Sequence, residues 1–337
     1  MLLLALTLPA FAASPTLKKP RKSRGFQMSV NPYTVAAGRD LEVCEYRRLP
    51  NKHPMDISAF KLSMPAGAHH FVVWLYSGST TDDSAFPQGP VPSLGCTGLV
   101  ADDIFPVPLI PLQQPNATFR FPKGIAFRID AHDQVWLNPH IKNLGTTPMV
   151  PDIRFNLLAA KKGSVKHIAH GIILGNMTGI NVPAGGDQTI TAEWTSPADL
   201  IIVDPVTHQH RLGIYANIEV VGSDGIPNKI YESTSWEHPP PFPHPPFAIK
   251  QGDKLRITCT WHNTDDHAVR FGGKTTDEMC FILGYYYREG EDLPISDPQC
   301  VPGSRQALFC PFSPLAAQQR WVSPLRRLAG AARGATA

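Results

Sequence analysis

Thr189-Ile190-Thr191-Ala192-Glu193-Trp194 alternates polar and apolar side chains one for one. A period of two is what a β-strand with one wet and one buried face requires, because successive side chains leave a pleated strand on opposite sides. Working outward, other short alternating or apolar runs recur between turn residues. Residues 71–76, 126–129 and 153–157 precede this stretch, with 168–174 beside it, and 200–203, 214–221, 254–261 and 281–287 follow. No amphipathic helix of ordinary length appears between residues 25 and 300, and the 34 prolines and 26 glycines punctuate the chain into short segments. Lys161-Lys162-Gly163-Ser164 is a polar break that divides the runs into two series. The expected fold is all-β: two tandem antiparallel β-sandwiches, jelly-roll-like, over residues 25–160 and 161–300.

The 337 residues suit two domains of ordinary size, and 42% apolar with 18% charged content is that of a globular chain. The net charge of +3 conceals an asymmetry. Residues 1–24 and 301–337 hold five basic residues each and no acid, so segment 25–300 sets 21 basic residues against all 28 acids, a net of −7. An acidic folded part argues against nucleic acid as a partner. The ends are expected to be a signal-like leader with a basic linker (1–24) and a disordered, basic tail (301–337). The apolar start, Met1-Leu2-Leu3-Leu4-Ala5-Leu6 on to Ala12-Ala13-Ser14, resembles a secretory signal without its positive n-region, and is too short to span a bilayer. A secreted or periplasmic protein without a membrane anchor is the expectation. Six cysteines without a Cys-x-x-Cys pair then suggest disulfides. Cys259 with Cys280 is the best pair, since each follows a strand-like run; Cys44 with Cys96 follows by elimination, and Cys300 with Cys310 stays open.

Candidate chemistry lies in His69-His70, His140, His208-Gln209-His210 and Met279. His208 and His210 stand at i and i+2, which on a strand share one face and can converge on one ion. The same spacing also fits the solvent face of a strand. Adjacent His69 and His70 point opposite ways on a regular strand, so both reach one ion only where the backbone bends, for which Ala66-Gly67-Ala68 leaves room. His140 by itself fits a satisfied buried histidine, and Met279 a core residue. Asp277 and Glu278 fit either orienting acids or exposed charges. A thioether among imidazoles favours copper, above all Cu(I). The proline-rich stretch 237–246 is an extended loop, its histidines ordinary loop residues.

The ordered set His-His, distant His, His-x-His and Asp-Glu-Met-Cys resembles the copper type II, ascorbate-dependent monooxygenases, the relatives of peptidylglycine α-hydroxylating and dopamine β-monooxygenase. Asp277-Glu278-Met279-Cys280, His208-Gln209-His210-Arg211-Leu212-Gly213 and 121–128 carry the resemblance, which covers roughly residues 27 to 300. It implies two copper ions per chain. His69, His70 and His140 would hold the first, which receives electrons from ascorbate. His208, His210 and Met279 would hold the second, the catalytic centre where dioxygen meets a small-molecule substrate. The two would face each other over an open cleft, with Cys259–Cys280 bracing Met279. Peptidylglycine enzymes carry an arginine two residues before His-x-His; here Val206 stands there, and Leu283 stands where peptide-binding members have tyrosine. A more apolar pocket follows. The alternative is an exported copper-binding protein without turnover. A zinc hydrolase is disfavoured by the thioether, since zinc prefers nitrogen, oxygen and thiolate ligands.

Overall fold

The computed structural model describes residues 17–65, 67–76, 78–93, 96, 99–100, 107–112, 114, 116–176, 178–274, 276–291 and 307–312. Among them the regular structure is β-strand, apart from 3₁₀ turns at Lys22–Arg24 and Asp83–Ala85. No helix among them is long and apolar enough to cross a membrane. The fold is all-β and sandwich-like, as the alternation predicts. In Asp187–Thr195, Ala192 and Trp194 are buried while Thr189 and Thr191 face water, their hydroxyls bonded to Thr260 and Thr258 of the neighbouring strand.

Two layered cores account for the architecture. In the N-terminal half, a five-stranded sheet ordered Val91–Pro92, Asp40–Arg48, Gln134–Lys142, Ala68–Leu75, Val107–Leu112 packs on strands that include Met55–Ser63, Ile125–Ile129 and Arg154–Ala159. Phe60, Phe71, Phe127 and Phe155 fill the space between them. In the C-terminal half, the four-stranded sheet of Asp187–Thr195, Lys254–His262, Gly213–Val221 and Pro227–Ser233 packs on His167–Asn176, Phe281–Tyr287 and Leu200–His208 around Trp261, Tyr286 and Ile202. Each such fully buried aromatic contributes about 2–3 kcal/mol by leaving water.

The two halves share a sheet. Ile125–Ile129 runs parallel to His167–Asn176, joining strands of both halves into one ten-stranded sheet. Lys161-Lys162-Gly163-Ser164 turns between the strands that flank it, with Ser164 N–H donating to Lys161 O at 3.0 Å and Gly163 at φ +74°. The cores meet on single strands: Tyr285 and Tyr287 belong to the first, Tyr286 to the second. Period-two alternation therefore sends successive tyrosines into different cores. Ala307–Phe312, inside the expected tail, pairs parallel with His167–Asn176. Disulfides Cys44–Cys96 and Cys259–Cys280 are formed as expected. The leader through residue 16, the tail beyond 312 and Cys300 lie outside the described residues.

Candidate metal centres

Three histidines converge at one end of the five-stranded sheet. His70 on Ala68–Leu75 is the register partner of His140 on the adjacent antiparallel Gln134–Lys142. A register shift falls between Ala68 and His70, the bend that adjacent histidines require. It follows Gly67, whose φ of +85° and approach to Lys142 O (2.6 Å from where a Cβ would sit) both demand glycine. The ring centroids of His69, His70 and His140 stand 5.0–5.2 Å apart. One nitrogen from each lies within 4.8 Å of the others. Pro139 precedes His140 in the middle of the sheet, and the Asn138 side-chain amide donates to Val43 O at 2.9 Å across that interruption.

Each of these rings has a carboxylate beside it. Asp40 bonds His140 Nε2, Glu42 lies 3.9 Å from His70 Nε2, and Glu237 lies 3.9 Å from His69 Nδ1. Burial, helped by neighbouring imidazoles, holds His69 far below the usual histidine range, and burial also lowers His70 against the opposing pull of Glu42. Neutral imidazole is the form that binds metal. The Nδ1 atoms of His69 and His70 are buried and accept or donate no hydrogen bond. A buried polar atom left so is costly, and an ion in this cluster would satisfy it.

The second group forms where a strand ends. Leu200–His208 stops at His208, so His210 lies beyond the ladder and the shared-face argument for i and i+2 does not apply. The rings still meet, centroids 5.3 Å apart, because the 276–280 segment captures the backbone. Glu278 is fully buried and accepts from His210 N–H (3.0 Å), Leu212 N–H (2.7 Å) and the Trp261 indole (2.6 Å). Burial pushes its carboxyl up to about 7, against those donors. Glu278 is thus an orienting acid, not an exposed charge. His210 Nδ1 donates to Asp277 O at 3.0 Å, since a carbonyl only accepts, and Nε2 is left for an ion. Burial takes His210 down to about 4 and His208 well below its usual value. Met279 sits between buried Glu278 and disulfide-bonded Cys280, and its side chain packs with Leu283, Phe271 and Trp74 against Ile173 and Phe281. Gly175 makes room for that platform, since a Cβ there would fall 1.4 Å from the Phe281 ring.

The two groups are close enough to interact: the His70 imidazole lowers both His208 and His210. A contact without a local signature also reaches the first group from the C-terminal half. Trp236, at the start of the proline-rich loop of the C-terminal half, packs its ring at a tilt against His69, centroids 5.0 Å apart, and Lys142 lies 4.6 Å over the Trp236 ring and 3.8 Å from Glu237. His238 and His244 of that loop are exposed, as read. Asp40-x-Glu42 was discoverable, because i and i+2 on one strand face one way. Trp236 and Glu237 had no local signature.

Residues 195–306 match the family profile described as copper type II ascorbate-dependent monooxygenase, C-terminal domain. That stretch contains His208, His210 and Met279, while His69, His70 and His140 precede it. No curated protein matches the chain. Among solved structures, that of PNGF-II aligns at 10% identity over 82% of this chain and 67% of the other, with a TM-score of 0.33. The STIV MCP aligns at 11% identity over 78% and 96%, TM-score 0.29. The major capsid protein P2 of bacteriophage PM2 aligns at 10% over 79% and 98%, TM-score 0.26. Likeness at that level bears on neither ligand nor reaction.

Proposed function

With a copper type II, ascorbate-dependent monooxygenase C-terminal domain at residues 195–306, we propose that this protein hydroxylates a C–H bond of a small organic substrate with dioxygen, using two copper ions and ascorbate as reductant. His69, His70 and His140 would hold one ion, and His208, His210 and Met279 the other. Copper, when bound, supplies the one-electron chemistry. The observation that carries this reading is the tie between the Met279 segment and the His208–His210 turn: Glu278 accepts from His210 N–H and Asp277 O from His210 Nδ1, while Cys280 is pinned to Cys259. A soft thioether joined with two neutral imidazoles would suit copper and not zinc.

The chain's own groups give the substrate preference. Val206 pairs across the strands with Leu283, and both are apolar where a carboxylate clamp would need charge. Half-buried Leu283, Met279, Phe271 and Trp74 border the Ile173–Phe281 platform. An uncharged substrate with an apolar or aromatic body fits this surface, and a glycine-extended peptide does not. The division at residue 160, with one centre from each half, and export to an oxidising compartment complete the proposal.

The test measures copper stoichiometry, then ascorbate-driven oxygen uptake over amines, phenethyl compounds and peptides. Two ions per chain and uptake coupled to an apolar substrate are expected. In Met279→Leu, which keeps side-chain volume, the second centre should lose its Cu(I) affinity while the three-histidine centre persists. Uptake that never exceeds that of His210→Ala, with copper bound, would mean a binding protein without turnover.

A further inference from the structure

The three carboxylates around the first centre are not equivalent. The Glu42 side chain is 5% exposed, against 46% for Asp40 and 43% for Glu237. Charge acts strongly where water is excluded and weakly where water screens it. Glu42 is also held in place: Asn138 donates to its Oε1 at 3.0 Å, and the amide of Asn138 is fixed in turn by Trp74 Nε1 at 3.1 Å. Glu42 is the register partner of His140 and lies beside His70, so it touches two of the three histidine positions at once.

We propose that Glu42 is the positioning residue that sets the oxidation-state preference of the three-histidine centre. It lies 3.9 Å from His70 Nε2, and the buried Nδ1 of that ring, without a hydrogen bond, is the nitrogen left for an ion. Its fixed negative charge favours the doubly charged over the singly charged copper ion. The second centre is built the other way. There the buried carboxylate of Glu278 is engaged by the His210 and Leu212 N–H groups and the Trp261 indole, and the third ligand of the proposed set is the Met279 thioether. The first centre is therefore the more reducing of the two. Asp40 and Glu237, half in water, orient rings and contribute little to the preference.

This inference rests on the reading of the cluster as a copper centre, and the experiment separates the two. In the full chain carrying His208→Ala and His210→Ala, Cu(II) and Cu(I) affinities of the first centre are measured by chelator competition. Glu42→Gln should lower the Cu(II)-to-Cu(I) affinity ratio about tenfold, equivalent to a rise of about 59 mV in a one-electron potential. Glu42→Asp, which withdraws the charge by one methylene, should shift the ratio the same way by a smaller step. Glu237→Gln should move it less than threefold. Copper that binds Glu42→Gln and Glu42→Asp with an unchanged ratio overturns the inference and leaves the copper centre standing. A shift with Glu237→Gln as large as with Glu42→Gln overturns it as well. Copper binding that survives a further His70→Ala overturns the copper centre itself.

Discussion

His70 and His140 face each other as register partners on neighbouring antiparallel strands, ring centroids 5.0 Å apart. Directly opposed residues of an antiparallel pair share one face of the sheet, so strand register alone assembles two thirds of the centre. The bulge at Ala68/His70 adds His69. Binding to the folded state alone stabilises it, by about 2.7 kcal/mol when free ion is a hundredfold above its dissociation constant. Copper should therefore raise the unfolding temperature and a chelator reverse it. In His140→Ala the part of that gain owed to the first centre should vanish, read by calorimetry with and without metal.

Glu278 answers three buried donors with one carboxylate. Glu278→Ala leaves the His210 and Leu212 amides and the Trp261 indole unsatisfied, and should cost on the order of 3–5 kcal/mol of stability. Glu278→Gln keeps one acceptor oxygen and should cost less. Denaturant unfolding of both variants gives the comparison; equal losses would contradict the role of the retained acceptor oxygen.

Trp236 holds the proline-rich loop against the first centre through its tilted ring contact with His69 and the Lys142 ammonium over its ring. Such contacts are each worth about 0.5–1.5 kcal/mol. Trp236→Ala should raise amide exchange across residues 234–246 by roughly tenfold, since about 1.4 kcal/mol corresponds to that factor. Global unfolding should barely move, because Trp236 itself belongs to neither core.

Asp204 sits at φ +50° in the bulge between Val203 and Val206, opposite Gly284, and burial pushes its carboxyl up to about 6. The folded state then holds a proton that the unfolded chain releases from about pH 4 upward. Stability contributed by this group is therefore present below pH 4 and lost as pH rises toward 6. Asp204→Asn, which tolerates the positive φ, should stabilise the protein by about 1–3 kcal/mol at pH 7 and by nearly nothing at pH 4. Thermal unfolding at the two pH values measures the difference; equal shifts would disprove the raised carboxyl.

The sequence by itself determined the all-β class, the alternating runs and the groups of histidines, because each rests on a local pattern; it paired Cys44 with Cys96 only by elimination. Alternation in 189–194 fixes which residues enter a core, and Gly67 before His69-His70 marks the bend. Only the tertiary structure decided that one sheet runs through both halves, that Tyr285 and Tyr286 serve different cores, that His210 leaves its strand, and that Trp236 and Glu237 reach His69. Those outcomes come from packing between segments distant in the chain, where burial and charge are settled jointly and no local period records the partner.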